Sequence, residues 1–245
     1  MIDFLNALTL LANYIIVPGL AYGSQLALGA LGVTMVYAVL RFSNFAHGEL
    51  MSFGAMCTIL FTWGLQSLGI KLTILPTALL AIPIAAFITV IYCILINYLV
   101  YEHYREKKID TNTYFIVSIG VLFFTAGLIR LIIGPRDQNF SDGSRFILKA
   151  REFKTMTGLD EGLAIKTTQG MTIIVTLVLV TFVFWFLNKT RTGKSMRAYS
   201  DNEDLALLSG INPKKVVLIT WIITGVLATV AGALYGLDKI YKPFT

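Results

Sequence analysis

One short polar segment, Arg41-Phe-Ser-Asn-Phe-Ala-His-Gly-Glu49, lies between two long apolar runs. Asn44, His47 and Glu49 place an amide, an imidazole and a carboxylate within six residues. Such groups could transfer a proton, bind a metal or hydrogen-bond a solute. Polar side chains near membrane depth are costly, so they indicate a functional site by default. We call Arg41–Glu49 the polar island.

The composition around the polar island is that of a membrane protein. Of the 245 residues, 56% are hydrophobic and only 14% are charged, whereas a soluble domain carries about a quarter charged residues. The apolar residues come in runs of about twenty, the length that crosses a hydrocarbon core of about 30 Å. The net charge of +6 lies mainly in the loops, which membrane topology explains better than a nucleic-acid surface does. We therefore predict a multi-pass protein in contact with lipid and with no nucleic-acid partner.

Six apolar spans are predicted to form an all-α transmembrane bundle, a single domain over residues 1–245. Their approximate bounds are Ile15–Leu40, Leu50–Gly69, Leu72–Tyr101, Thr111–Gly134, Met171–Leu187 and Val216–Leu237. Residues 1–13 mix Asp and Asn with apolar residues and are expected at the membrane interface. Arg130 is expected to reach the interface by snorkelling. Ala228, Gly232 and Gly236, spaced by four residues, predict a close helix contact.

The positive charges orient the bundle. The polar island, the Glu102–Asp110 loop and the Asn188–Lys215 loop share one side and carry ten Lys and Arg. The Lys71 turn and the Pro135–Gly170 segment, on the other side, carry seven. Because Lys and Arg are enriched in cytoplasmic loops, we predict that the first set is cytoplasmic and that the N-terminus is outside. Residues 135–170 then form a long external loop, and residues 189–215 form a cytoplasmic loop.

The cytoplasmic loop is predicted to contain a short helix at about 201–209. Ser200 and Glu203 fit a capping box, in which the hydroxyl and the carboxylate bond free backbone amides at the helix start. Gly210 is the expected stop. Residues 205–208 would form an exposed apolar patch. Either the membrane surface or a soluble partner must cover such a patch.

Two motifs resemble the permeases of branched-chain amino acid ABC transporters. The first runs from Leu28-Gly-Ala-Leu-Gly-Val-Thr-Met-Val-Tyr37 through Arg41 into Asn44-Phe45-Ala46-His47-Gly48-Glu49. The second resembles the coupling segment of that family and comprises Gly193, Arg197, Ala198, Asn202, Ala206, Gly210 and Ile211. Asp204 and Leu205 depart from the general importer pattern Glu-Ala-Ala-x-x-x-Gly, so only Ala206 and Gly210 of that pattern carry over. The resemblance covers nearly the whole chain, and urea or short-chain amide permeases stay an alternative.

The resemblance implies a transport subunit with no enzymatic activity and no cofactor of its own. Such a permease sits in the bacterial inner membrane beside a second permease, which is homologous or identical to it. Two cytoplasmic ATPases, which bind ATP and Mg, drive the transport, and a periplasmic binding protein delivers the substrate. The helix at 201–209 would then dock on an ATPase. Family members continue past the sixth span with further helices, so we expect this sequence to be a fragment or a natural truncation that lacks C-terminal helices.

Alternative interpretations of the polar island stay open. Asn44, His47 and Glu49 either contact the substrate or hold a gate through hydrogen bonds, with Gly48 allowing a turn or a tight helix contact. The segment could also be a plain polar loop that Arg41 anchors at the cytoplasmic side. An intramembrane enzyme that uses His47 and Glu49 is disfavoured, because residues i and i+2 do not face each other on a helix. No metal site is expected, and an ion-coupled transporter is disfavoured because the spans contain almost no Asp or Glu.

The role of the Glu49 carboxylate is testable. We predict that Glu49→Gln impairs substrate uptake and leaves membrane insertion intact. Uptake into membrane vesicles measures the first effect, and the amount of protein in the membrane fraction measures the second. Normal uptake by the variant would exclude a functional role for this carboxylate.

Overall fold

Apolar helices of membrane-spanning length dominate the structure, a computed structural model that describes residues 2–72, 75–107, 109–140, 146–239 and 241–243. Residues 73–74 of the third predicted span and 141–145 of the predicted external loop lie outside the described residues. The elements in chain order are α1 Ile2–Leu11, α2 Val17–Leu40, α3 His47–Ser67, α4 Ala78–Ile96, α5 Glu102–Glu106, α6 Thr111–Ile133, β1 Phe146–Leu148, α7 Ala150–Thr157, β2 Ile165–Lys166, α8 Thr167–Lys189, α9 Arg191–Asp201, α10 Glu203–Leu208 and α11 Pro213–Asp238.

The six predicted spans are confirmed, because six helices of the described chain are long and apolar enough to cross a membrane. Two of them contain a π turn: Ala12–Ile16 joins α1 to α2, and Asn97–Tyr101 joins α4 to α5. The first span is therefore one continuous helix from Ile2 to Leu40. Residues 2–13 belong to this helix, which at 39 residues is longer than the roughly 20 residues that cross a hydrocarbon core. Their expected position at the membrane interface stays a prediction.

The segment between α6 and α8 has a small fold of its own. Strands β1 and β2 pair antiparallel, with Phe146 opposite Lys166, and α7 lies between them in sequence. The side chains of Asn6 and Asn13 accept hydrogen bonds from the backbone N–H groups of Glu161 (3.4 Å) and Ala164 (3.2 Å). These bonds place α1 and the predicted external loop on the same side of the bundle.

Helix α11 is the most buried of the six spans and packs against α2, α3 and α4. Lipid tails are as apolar as leucine, so helices in a membrane associate through close packing of small residues. Gly232 lies against Met51, and Gly236 lies against the ring of Phe140. Ala228 is fully buried. The predicted role of this four-residue repeat in helix packing is confirmed.

Many buried threonine hydroxyls are satisfied within their own helices, although the Thr224 hydroxyl has no partner and Thr176 of α8 donates to the Ser24 carbonyl of α2. A polar group in a membrane interior must find its hydrogen bond inside the protein. The threonines that donate to the carbonyl oxygen four residues earlier, at 2.7–2.9 Å, include Thr58, Thr62, Thr89, Thr125, Thr220 and Thr229. This pattern explains how an apolar bundle tolerates many buried threonines.

The contacts between loops agree with the predicted sides of the bundle. The Arg41 guanidinium donates to the Ser200 carbonyl. Lys214 forms a salt bridge with Glu102 (Nζ–Oε1, 3.0 Å). The three loops that were predicted to share one side therefore meet there. That this side faces the cytoplasm stays a prediction.

The α3–α11 contact gives a stability prediction. A Cβ at Gly54 would lie 2.5 Å from Thr229 Cα, so Gly54→Ala forces the two backbones apart. We expect a loss of about 1–3 kcal/mol in the free energy of unfolding, measured as a lower thermal midpoint of the purified protein in detergent. The matched control is Gly64→Ala in the same helix, where nothing lies within 4 Å. Equal midpoints for the two variants would contradict this packing.

Candidate functional site

Part of the polar island is buried in the bundle: Phe42, Asn44, Ala46 and His47 are buried, whereas Arg41, Ser43, Phe45 and Gly48 are exposed. Helix α3 begins at His47, whose ring packs against Gly32 of α2 so closely that a Cβ at Gly32 would overlap it. Gly32 lies eight residues before the end of α2, roughly 12 Å along the helix axis. After Arg41 the chain therefore turns back toward the middle of the bundle. The interpretation of the island as a plain loop at the cytoplasmic side is wrong for Asn44 and His47, which are 5% and 3% exposed.

A set of hydrogen bonds fixes the backbone of the island. The Asn44 side-chain oxygen accepts from the Ala46 N–H (3.2 Å) and from the Tyr101 hydroxyl (3.1 Å). The Asn44 carbonyl accepts from the His47 N–H (3.2 Å). The Phe45 N–H donates to the Ser118 hydroxyl (3.3 Å) of α6. Asn44 is thus the residue that organises the start of α3.

The imidazole of His47 is buried without a hydrogen bond of good geometry at either ring nitrogen, although the backbone of Gly29 lies close enough to interact with it. A buried polar group in this condition calls for an explanation, such as water or a transient partner. Glu49, two residues later, is only half-buried. The two side chains thus have different surroundings, and they do not form an acid–base pair.

Arg41 connects the end of α2 to the segment between α8 and α11. It has φ 59°, the one left-handed non-glycine residue among those described. Its guanidinium donates to the carbonyl oxygens of Ser200 and Asp201 (3.4 Å for the latter), the last two residues of α9. The final carbonyls of a helix lack partners within the helix and carry partial negative charge, so a cation is stabilising there. The Ser200 hydroxyl donates to the Ala38 carbonyl (2.6 Å), a second tie between α9 and α2.

The predicted capping box at Ser200 and Glu203 is wrong. Ser200 belongs to α9, and its hydroxyl is taken by Ala38. Asn202 caps α10 instead, because its side-chain oxygen accepts from the Leu205 N–H (3.0 Å). Glu203 accepts a hydrogen bond from the Tyr199 hydroxyl (2.7 Å). Helices α9 and α10 therefore form an elbow that bends at Asn202.

The end of α10 agrees with the predicted glycine stop. Gly210 has φ 81°, its N–H donates to the Leu207 carbonyl, and the Ile211 N–H donates to the Ala206 carbonyl. This bond pair is the Schellman motif. Leu205 and Leu208 are 61% and 85% exposed, which confirms the predicted apolar patch. Ala206 is buried and does not contribute to the patch.

The remaining residues of the predicted coupling segment shape α9. Gly193 packs against the backbone of Leu187, and its N–H donates to the Thr190 hydroxyl at the start of the helix (3.0 Å). Arg197 donates to the Asn188 side chain (3.2 Å). Ala198 is exposed. These residues hold α9 against the end of α8 and leave one side of the elbow open.

An aromatic cluster that sequence analysis did not predict packs against the island. Tyr101, Trp221 and Phe42 are almost fully buried. The Tyr101 ring stacks on Trp221 (5.3 Å between centroids) and contacts Phe42 (5.1 Å). The Trp221 indole N–H donates to the Asn97 side chain (2.9 Å). One residue in the sequence could have indicated this cluster. Asn97 is a polar residue within an apolar run, and such a residue needs a hydrogen-bond partner inside the protein.

Two cavities flank the island. One, of about 410 Å³, lies between the island and the elbow and is lined by Arg41, Arg105, Tyr199 and Glu203 among others. Burial, together with the hydrogen bond to Glu203, raises the pKa of Tyr199 above its usual range, so its hydroxyl stays a donor. The other cavity, of about 300 Å³, lies between α2, α3 and α11 and is lined in part by Gly48, Ser52 and Tyr241.

Residues near the second cavity come from distant parts of the chain. The hydroxyls of Tyr241 and Ser52 are 2.9 Å apart. Burial raises the pKa of Tyr241 to about 12, and the charge of Glu49 acts in the same direction. Arg130 is exposed, and it donates from Nε to the Pro243 carbonyl (3.2 Å). That it reaches the membrane interface stays a prediction. Gly48 is exposed with open space beside it, so the predicted tight helix contact there is wrong within this chain.

The hydrogen bonds of the island hold it in one arrangement. Among the described residues, no group of three or more His, Cys, Asp or Glu side chains could hold a metal ion. The polar groups of the island bond mostly to the backbone and to tyrosine or serine hydroxyls. Such bonds fix a conformation and can be exchanged when helices move.

Comparison with known proteins gives a consistent result. Residues 15–245 match the family described as branched-chain amino acid transport system / permease component. The high-affinity branched-chain amino acid transport system permease protein LivH of Salmonella typhimurium is 30% identical over 221 residues, covering 89% of this chain and 68% of LivH. The permease protein BraD of Pseudomonas aeruginosa, with the same description, is 28% identical over 228 residues, covering 91% and 70%. The fructose import permease protein FruG of Bifidobacterium longum is 27% identical over 121 residues, covering 49% and 35%. No solved structure gives a significant match.

The contact between Gly32 and His47 gives a test of the island's position. Gly32→Ala would push the buried ring aside, so we expect a loss of about 1–3 kcal/mol in the free energy of unfolding, together with reduced uptake. The matched control is Gly23→Ala in the same helix, where the added Cβ meets open space. Thermal midpoints in detergent and uptake in vesicles measure the two effects. If both variants behave like the unmodified chain, His47 does not pack against Gly32.

Proposed function

Because this chain belongs to the family of permease components of branched-chain amino acid transport systems, we propose that it moves branched-chain or related hydrophobic amino acids across the membrane. It is a permease subunit of an ABC importer and a multi-pass protein of the inner membrane. The substrate class rests on the names of the relatives. The observation that carries the mechanism is the elbow of α9 and α10: α10 exposes leucines, and the last carbonyls of α9 bond Arg41 at the start of the partly buried polar island.

The partners follow from this type of importer. The family implies an ATPase and a substrate-binding protein. We propose in full two cytoplasmic ATPases, a periplasmic binding protein and a second permease that is homologous or identical to this chain. ATP and Mg would bind on the ATPases, and this chain would carry neither a cofactor nor an enzymatic activity. The separated surroundings of His47 and Glu49 support that proposal, because general acid–base catalysis needs positioned groups within hydrogen-bond reach.

The elbow of α9 and α10 is the proposed docking element for an ATPase. Leu205, Leu207 and Leu208 are exposed on a six-residue helix whose ends are fixed by Asn202 and Gly210. A short apolar helix with both ends capped can insert into a groove with little loss of conformational entropy. When the two ATPases bind ATP and close, they would then displace the elbow.

The displacement would reach the island through two direct bonds. The Arg41 guanidinium holds the last carbonyls of α9, and the Ser200 hydroxyl holds the carbonyl of Ala38 near the end of α2. Arg41 is also the residue at which the chain turns into the island. A movement of α9 therefore changes the path of the chain at the point where the island begins. Such rigid-body motion is a common form of conformational switching.

The cavity between α2, α3 and α11 is the proposed segment of the substrate path within this chain. Its lining combines apolar side chains with the hydroxyls of Ser52 and Tyr241 and with Lys242. The Tyr241 hydroxyl donates to the Ser52 carbonyl (3.1 Å), and a bound carboxylate would have to replace that carbonyl as its acceptor. Apolar walls suit a hydrophobic side chain, and polar groups suit the charged ends of an amino acid.

The docking proposal predicts a position-specific loss of assembly. We expect Leu208→Asp to abolish co-purification of the ATPase, because it places a charge in the centre of an apolar contact. Leu68→Asp is the matched control. Leu68 is also well exposed, but it follows the end of α3 that lies away from the polar island. Retention of the ATPase by the Leu208 variant, or equal loss in both variants, would contradict docking through α10.

The substrate proposal is tested by uptake. The full chain is expressed with its ATPase and binding-protein partners in cells that lack their own branched-chain amino acid transport. We expect ATP-dependent uptake of radiolabelled leucine, isoleucine or valine, and no competition by urea, acetamide or fructose. Uptake of one of those competitors without uptake of the amino acids would overturn the substrate class and leave the permease assignment in place.

A further inference from the structure

We propose that Asn97, Trp221 and Tyr101 form a relay that positions the polar island and connects it to the cytoplasmic end of the bundle. The proposal rests on the proposed transport function. All three residues lie outside the two motifs that resemble the permease family. They are positioning residues, because they act through Asn44 and need not touch a substrate.

The relay is a continuous chain of contacts. The Arg105 guanidinium, in α5, donates to the Asn97 side-chain oxygen (3.3 Å). The same oxygen accepts from the Trp221 indole N–H (2.9 Å). Trp221 stacks on Tyr101 with ring centroids 5.3 Å apart and planes at 19°. The Tyr101 hydroxyl donates to Asn44 (3.1 Å), whose other bonds fix the start of α3.

The π turn at Asn97–Tyr101 places two members of the relay. Every fourth residue from Ala85 through Cys93 is buried, and this repeat continues to Asn97 and Tyr101. In a regular α-helix, a four-residue repeat rotates by about 40° at each step. The wider π turn, closed by the Glu102 N–H bonding to the Asn97 carbonyl, counters that rotation. Asn97 and Tyr101 therefore both face the bundle interior, where Trp221 and Asn44 lie.

The lower end of the relay lies where the proposed ATPase contact acts. Arg105 lines the cavity next to the elbow, together with Glu203 and Tyr199. Glu102, in the same short helix, bridges to Lys214 at the start of α11 (3.0 Å). A displacement of the elbow thus meets the relay at Arg105, in addition to the direct tie through Arg41. The island is held from two directions, and a loss of either should loosen it.

Tyr101→Phe tests the relay, with Tyr92→Phe as the matched control. Both tyrosines lie in the third span, both are buried, and each loses one hydroxyl bond, to Asn44 or to Thr125 (2.8 Å). We expect backbone hydrogen exchange in a peptide covering residues 44–50 to be about fivefold faster in the Tyr101 variant than in the Tyr92 variant. That fold-change corresponds to the roughly 1 kcal/mol of one hydrogen bond. Equal exchange in the two variants would overturn the relay.

A second readout separates positioning from general stability. With the full transporter in proteoliposomes, we expect Tyr101→Phe to lower the amount of substrate moved per ATP hydrolysed, whereas Tyr92→Phe should not. Asn97→Leu should lower this ratio in the same way. Asn97→Asp keeps an acceptor for Arg105 and Trp221, so it should leave the ratio close to that of the unmodified chain. An equal ratio in all variants would contradict the relay. Absence of uptake by the unmodified chain would instead contradict the proposed function, and the exchange measurement would still decide the relay.

Discussion

The burial of a polar segment within an apolar bundle is the constraint on which the rest of this structure depends. A membrane interior offers no water, so each polar group of the island needs an internal partner. The Asn44 side-chain oxygen meets that requirement with the Ala46 amide and the Tyr101 hydroxyl, whereas the Asn44 side-chain nitrogen is buried without a hydrogen-bond partner. Gly32 makes room for the His47 ring, because any larger residue would occupy its place. The packing of α2, α3 and α11 through small residues follows from the same need for close approach.

The same constraint explains how a displacement of the elbow at the surface can act on the buried residues of the island. An island held by a few directed bonds has a defined position, and a change in those bonds gives it another position. The last carbonyls of α9 hold Arg41 at the point where the chain enters the bundle. Displacement of the elbow therefore acts on a polar segment that is already short of hydrogen-bond partners at His47. Elements of this kind switch between discrete arrangements because a packed core does not deform continuously.

The lengths of the apolar runs and the local motifs predicted the outline of the fold. The geometry of the candidate site depends on contacts between residues that are distant in sequence. The six spans, the small-residue repeat of α11 and the exposed leucines before Gly210 all follow from patterns within a few turns of helix. The capping box failed because Ser200 found a distant acceptor in Ala38, which no local pattern contains. The depth of the island was missed for the same reason, since the polar residues by themselves are also typical of a surface loop. The stacking of Tyr101 on Trp221 joins positions far apart in sequence, so spacing could not predict it.

The most direct test of this account is the solvent accessibility of the island. Ala46 is fully buried and Ser43 is exposed, and both side chains are small enough for replacement by cysteine. The native Cys57 and Cys93 are buried and should give little background. In open membrane fragments, the account predicts that a water-soluble maleimide labels Ser43→Cys quickly and leaves Ala46→Cys unlabelled until ATP and the binding protein are added. Equally fast labelling of both positions without ATP would show that the island lies in a surface loop and would contradict the account.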